Sequence, residues 1–82
     1  MNEVIRANNK FFTVPVGYRK LYWQFTKPGQ RVFIAGTKDG RPWAYGPHTV
    51  VDQHKKVLKN ERGQRFVEQT DGVLIKLLEK QI

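Results

Sequence analysis

The sequence predicts a mostly β protein with one small domain, folded as a strongly bent barrel. Short apolar runs between residues 27 and 76 are separated by turn signals at Pro28-Gly29, Asp39-Gly40, Gly46-Pro47, 60–63 and Asp71-Gly72. A chain of 82 residues has room for one core only. The runs correspond to five short strands joined mostly by tight turns. Such strands favour a barrel over a flat sheet, which would leave long edges uncovered.

Each predicted strand has its own apolar pattern. Alternation over 31–35 places Val32 and Ile34 on the core side and Phe33 on the outside beside Arg31. The next strand begins near Trp43 and resumes after Gly46-Pro47, a break that suits a bulge or sharp bend. Strands over 56–60 and 64–69 are joined by a turn in which Gly63 takes positive φ, and 73–78 closes the set. The predicted core is Val32, Ile34, Val50, Val57, Phe66, Val73 and Ile75.

Residues 1–26 are predicted to be an N-terminal arm and aromatic-rich extension that packs on the barrel of residues 27–82. The run from Phe11 to Val14 is extended and stops at Pro15. Apolar residues between 17 and 26 satisfy both the 3.6-residue helical period and the two-residue strand period, so the pattern leaves both structures open. Gly17 and Pro28-Gly29 bracket this run and favour one short helix.

The charge balance indicates an anionic partner. Fifteen Lys and Arg against seven Asp and Glu give a formal net charge of +8. A basic barrel of this size binds nucleic acid, or an acidic protein surface, more often than it transforms a small molecule. There is no cysteine, and the two histidines have no acidic residue at ligand spacing, so we expect no metal and no cofactor. No apolar run reaches the roughly 18 residues of a membrane span, and we expect a cytoplasmic protein.

Two sets of side chains are candidates for binding a nucleic acid. Basic residues in two turns and the adjacent strands would contact phosphates: Arg31, Lys38, Arg41, Lys55, Lys56, Lys59, Arg62 and Arg65. Aromatic residues interleaved with them would stack on bases: Tyr22, Phe33, Trp43 and Tyr45. The competing interpretations are that the charges are solvated turn residues and that most of the aromatic rings build the core.

Several of these features together resemble the SH3-like C-terminal DNA-binding domain of retroviral and retrotransposon integrases. The resemblance covers residues 27–76 and is carried by Pro28-Gly29, the alternation of 31–35, the basic turn 38–41, Trp43, Gly46-Pro47 and Thr49-Val50. It implies an SH3-like five-stranded barrel that binds nucleic acid. The chain departs from the family at Gln30, where an acidic residue is usual, and has one residue more between Trp43 and Gly46-Pro47. It contains no catalytic core, so recombination chemistry is not implied.

The sequence favours a non-enzymatic nucleic-acid-binding module without catalytic residues. There is no serine or cysteine nucleophile and no phosphate-cradling glycine loop. One alternative is a phage or mobile-element adaptor or inhibitor that binds an acidic protein surface. A second is a metal-free ribonuclease, because Gly40-Arg41-Pro42 resembles a turn of toxin ribonucleases of the MazF type; His48 and Arg41 would then serve as acid or base and phosphate clamp. The choice between DNA, RNA and protein, and the oligomeric state, stay open.

Overall fold

A computed structural model describes residues 4–7, 10–67, 69–70, 73–74 and 76–81. Strands account for most of this part of the chain, and a single 3-10 turn, Trp23–Phe25, is its one helical element. The mostly β prediction is therefore confirmed. The strands are β1 Val4–Ala7, β2 Lys10–Thr13, β3 Tyr18–Leu21, β4 Arg31–Lys38, β5 Arg41–Asp52, β6 Val57–Lys59, β7 Arg65–Val67, β8 Gln69–Thr70, β9 Val73–Leu74 and β10 Leu77–Lys80.

The main sheet has six antiparallel strands in the order β3-β10-β4-β5-β6-β7. Two hairpins, β1–β2 and β8–β9, form separate two-stranded sheets. Within the described ranges no backbone pairing joins β3 to β7, so the sheet is open there and is not a closed barrel. The sixth strand comes from the predicted N-terminal extension, because β3 pairs with β10 through Leu21 and Leu77.

The β4–β5 hairpin is the longest element and contains two features that the sequence predicts correctly. Lys38 pairs with Arg41 around Asp39-Gly40, whose φ angles of +52° and +76° are those of a two-residue type I′ turn. Farther along, Val32 pairs with His48 whereas Ile34 pairs with Tyr45, so β5 contains one extra residue. The predicted break at Gly46-Pro47 is this bulge, and the strand continues through it.

Gly46 is required at the bulge for two reasons. Its φ is +156°, and a Cβ atom there would lie 2.8 Å from Phe33 Cδ1 and 3.1 Å from the Val32 carbonyl oxygen. The second contact involves backbone, which cannot move aside as a flexible side chain can. A glycine at this position therefore lets β4 and β5 stay paired on both sides of the bulge.

The sheet buries side chains on both faces. The inner cluster consists of Val32, Val50, Leu58 and Leu77, with Leu21, Trp23, Ile34 and Phe66 packed against it. The outer cluster consists of Ile5, Val14 and Leu78, with Phe12, Tyr18, Phe33, Ala35 and Ala44. The N-terminal segment therefore shares a core with the outer face of the sheet, at β4 and β10.

The predicted core is largely correct. Val32 and Val50 are fully buried, and Ile34 and Phe66 pack against the inner cluster. Val57 is half-buried, while the side chains of the predicted core residues 73 and 75 lie outside the described part. Phe33 lies on the Arg31 face as predicted, but it is half-buried there and not exposed. Phe33 belongs to the outer cluster, and its ring meets Tyr18 edge-on at a centroid distance of 5.0 Å.

Two element predictions are also corrected. The short helix predicted across 17–26 is strand β3 followed by the 3-10 turn, because pairing with β10 outweighs the local helical spacing. The closing strand predicted at 73–78 begins instead at Leu77, since Val73–Leu74 pairs with β8. The turn predicted at 71–72 lies outside the described residues. The hairpin turn before β7 is confirmed, with Gly63 at φ +83°.

Candidate nucleic-acid interface

Four residues on neighbouring strands lie in one line across the outer face of the sheet. Arg31 pairs with Thr49, Thr49 with Lys59, and Lys59 with Arg65, so the line crosses β4, β5, β6 and β7. Arg31, Lys59 and Arg65 are exposed, and Thr49 is half-buried. Neighbouring strands are about 4.8 Å apart, so the line is roughly 14 Å long. We name these four residues the transverse basic row.

The buried neighbours of the row explain why it faces solvent. Val32, Val50, Leu58 and Phe66 each lie next in sequence to one member of the row, and all four contribute to the inner cluster. Since successive side chains of a strand point to opposite faces, the row points outward. Each cation is thus held on a backbone that is anchored by an apolar side chain on the other face.

The turn between β6 and β7 fixes one end of the row. The Asn60 side-chain oxygen accepts hydrogen bonds from the backbone N–H groups of Arg62 (2.9 Å) and Gln64 (3.0 Å), and the Asn60 amide donates to the Gln64 side chain. This bonding holds Lys59 and Arg65 opposite each other and leaves Arg62 exposed at the tip. A shallow depression beside the row is lined by Arg31, Pro47, Thr49, Lys59, Asn60 and Glu61.

A second group of candidate residues lies on the β4–β5 hairpin. Lys38 pairs with Arg41, Gly36 with Trp43 and Ile34 with Tyr45, which places the group on the face that carries Ile34. Trp43 is 46% exposed and Tyr45 is 39% exposed. The Lys38 ammonium lies 4.9 Å from the centroid of the Trp43 ring, at cation–π distance. We name Lys38, Arg41, Trp43 and Tyr45 the hairpin aromatic face.

Lys55 and Lys56 lie in neither group. They belong to the turn between β5 and β6, at the opposite end of β6 from Lys59. An Asp52 side-chain oxygen accepts the Lys55 backbone N–H at 3.0 Å, and this hydrogen bond lowers the pKa of Asp52. The predicted basic residues therefore lie along the row and the turn at its end, on the hairpin, and in the turn between β5 and β6. Phe33 is half-buried in the outer cluster and exposes a smaller fraction of its surface than Trp43 or Tyr45.

His48 lies on the inner face and is half-buried. Its ring meets Phe66 edge-on at 5.9 Å, and its Nδ1 atom is buried without a hydrogen-bond partner among the described residues. Burial lowers the pKa of His48 below 6.5, and a backbone contact with Tyr45 partly opposes this effect. Arg41 is seven residues away on the same strand, or about 23 Å at roughly 3.3 Å per residue. The structure does not bring these two residues together as an acid or base and a phosphate clamp.

The lowered pKa of His48 predicts a pH-dependent stability. In the unfolded chain His48 takes up a proton near pH 6.5, whereas the folded chain resists protonation until lower pH. Neutral, half-buried His48 therefore contributes fully to the free energy of unfolding above pH 6.5. This contribution is lost as the pH falls from 6.5 to the lower pKa of the folded state. We expect urea unfolding to show less loss of stability between pH 7.5 and pH 5 for His48→Gln than for wild type.

The control for this prediction is His54→Gln, because His54 is exposed in the turn between β5 and β6. That variant also removes one imidazole, so comparison of the two variants separates the effect of burial at position 48 from the loss of a histidine. An unchanged pH dependence in His48→Gln would show that burial of His48 does not control the proton uptake.

Sequence reasoning missed two features of the surface. Thr49 belongs to the transverse basic row, and its alternation with buried Val50 was the available signal. Phe25 is 65% exposed and lies edge-on to Tyr22 at 6.4 Å, beside a depression bordered by Arg19 and Lys20. The spacing of three residues between Tyr22 and Phe25 was the signal there. Arg19 is already ion-paired with Glu79.

The described part of the chain contains no cluster of three or more His, Cys, Asp or Glu residues arranged to hold a metal ion. No helix in that part has the length and apolar character needed to cross a bilayer. Comparison of the chain with protein-family models, with curated proteins and with solved structures found no match in any of the three.

Proposed function

We propose that this protein is a non-enzymatic nucleic-acid-binding module that holds a phosphate backbone along the transverse basic row. The observation that carries the proposal is the strand register, which aligns three exposed cations with Thr49 between two of them. A phosphate backbone is a line of negative charges, and a straight row of cations on a stiff sheet is complementary to it. Contacts of this kind position a nucleic acid without reading its bases, so binding tolerates many sequences.

The side chains of the row suit phosphate chemistry. Arg31 and Arg65 present planar guanidinium groups that bind phosphate oxygens in pairs, and Lys59 contributes a compact charge. The Thr49 hydroxyl is placed between Arg31 and Lys59 to donate a hydrogen bond. Glu61 is the acidic residue that borders the depression beside the row. The row thus combines charge with directed hydrogen bonding, and displacement of counterions supplies most of the binding free energy.

The strand order is compatible with an SH3-like barrel. Strands β4 to β7 form a meander, and β10 returns to pair with β4, so the order β10-β4-β5-β6-β7 uses five strands. We propose that this part of the chain is a variant of that barrel, opened and extended by β3. This arrangement supports the resemblance to the integrase DNA-binding domain, and that resemblance supports the proposed function.

Fluorescence anisotropy with labelled duplex DNA, single-stranded DNA and single-stranded RNA tests the proposal. Each phosphate contact contributes about −0.9 to the log–log salt slope on duplex DNA and about −0.7 on single strands. Three contacts from the row therefore predict a slope of roughly −2 to −3. Absence of binding to all three probes at low salt would refute the proposal and favour an adaptor that binds an acidic protein surface.

A further inference from the structure

We propose that the hairpin aromatic face stacks on unpaired bases, so that the ligand of this module is a single-stranded nucleic acid. The proposal rests on the proposed function. It adds a second contact surface and predicts that the protein binds single-stranded nucleic acid in preference to duplexes.

Tyr45 is held in place from two sides. Its hydroxyl donates a hydrogen bond to the Thr37 carbonyl, and its ring lies against Gly36. A Cβ atom at Gly36 would lie 2.8 Å from Tyr45 Cε2, so the absence of a side chain there lets the ring lie flat on the hairpin. The ring is therefore ordered before any ligand arrives, and a base that stacks on it loses little of its binding free energy to ordering the protein.

Trp43 extends this surface toward the tip of the hairpin. Almost half of its side chain is exposed, and it sits on the same face as Tyr45 two residues away. The Lys38 ammonium lies over the ring, and Arg41 occupies the next position on that face. Exposed aromatic rings interleaved with cations are the arrangement that binds bases and their phosphates in single-strand-binding proteins.

The two surfaces lie on opposite faces of the β4–β5 ribbon. Arg31 and Lys38 belong to β4 and are an odd number of residues apart, so they point to opposite faces. Trp43 and Thr49 point to opposite faces of β5 because the bulge lies between them. Along β5 these two residues are about 20 Å apart.

Only a flexible ligand reaches both surfaces. Duplex DNA is stiff over about 150 base pairs, so a short duplex cannot turn around a two-stranded ribbon. A single strand of about six nucleotides can span roughly 20 Å and pass the edge of the ribbon. That edge is open in the described residues, because β6 pairs with β5 only from Thr49 onward.

Tryptophan fluorescence tests this proposal in the whole chain. The chain has two tryptophans. Trp23 is half-buried against the inner cluster and lines a shallow depression, whereas Trp43 is 46% exposed, so the part of the quenching that Trp43→Leu removes reports on Trp43. We expect a thymidine oligomer of about twelve nucleotides to quench the fluorescence, and a duplex of the same length to leave it unchanged. Trp43→Leu should lower single-strand affinity about tenfold to a hundredfold and change duplex affinity less than twofold.

Two further variants distinguish the loss of stacking at Trp43 from the loss of any exposed aromatic side chain. Trp43→Phe keeps a stacking surface and should restore most of the single-strand affinity. Phe25→Leu removes a different exposed aromatic ring and should leave that affinity unchanged. Circular dichroism melts of all variants check that the fold is intact.

Equal affinity for both probes together with an unquenched Trp43 would overturn the inference and leave the proposed function standing. Simultaneous binding of two duplexes by one molecule would also overturn it. Failure of every probe to bind, by contrast, would remove the proposed function itself.

Discussion

Replacement of Leu58 or Leu78 by alanine is expected to destabilise the protein by about 2 to 5 kcal/mol. Both side chains are fully buried. Leu58 lies in the inner cluster and Leu78 in the outer cluster, so the two variants test the two faces of the sheet separately. Domains of this size have a total unfolding free energy of about 5 to 15 kcal/mol, so either variant loses a large share of it. Urea unfolding followed by circular dichroism measures the change.

Val16→Ala is the control, because that side chain is 89% exposed. Its effect should stay within about 0.5 kcal/mol. The Leu78 variant also tests how the N-terminal segment is attached, since Leu78 packs with Ile5 and Val14 from that segment. If Leu78→Ala were as stable as wild type while Leu58→Ala was destabilised, the outer cluster would not contribute to folding and β1–β2 would not be docked on the sheet.

Local backbone chemistry made the turns and the bulge predictable. Asp39-Gly40 and Gly63 stand where the backbone needs positive φ, and few residue types tolerate that geometry. Gly46-Pro47 marked the bulge for the same reason. Such signals depend on neighbouring residues only, so one sequence is enough to find them.

Which faces of the sheet are packed against other segments could not be predicted from neighbouring residues. Alternation over 31–35 correctly separates Val32 from Phe33, but it does not say whether one face or both are covered. Phe33 is half-buried because Ile5 and Val14, far away in sequence, belong to the same outer cluster. The strand assignment of β3 has the same origin, since its partner β10 is near the other end of the chain.

Most residues of the candidate site could be predicted from the sequence, but their positions relative to one another could not. The row Arg31, Thr49, Lys59 and Arg65 requires the register of four strands. The bulge matters here, because Trp43 and Thr49 are six residues apart and would share a face of an unbulged strand. The extra residue places them on opposite faces, and the predicted basic residues are thereby divided into separate surfaces.

Neutralising the row is expected to have the largest effect on binding. The triple variant Arg31→Gln, Lys59→Gln, Arg65→Gln removes three phosphate contacts. At 0.1 M salt we expect the affinity for nucleic acid to fall by roughly two orders of magnitude, through loss of counterion release. Stability should change little, since exposed charges contribute about 0 to 1 kcal/mol each.

A second triple variant controls for net charge. Lys27→Gln, Lys55→Gln, Lys80→Gln removes the same number of positive charges from exposed side chains outside the row and the hairpin aromatic face. If binding depends only on a net charge of +8, both triples lose affinity equally. If the row holds the backbone, the second triple keeps most of its affinity.

The salt dependence of single-strand binding by these two variants is the most direct test of the row as the phosphate-binding surface. We expect the row variant to lose about two units of log–log slope and the control variant to keep the wild-type slope. Equal slopes for the two variants, or a wild-type slope in the row variant, would contradict this expectation.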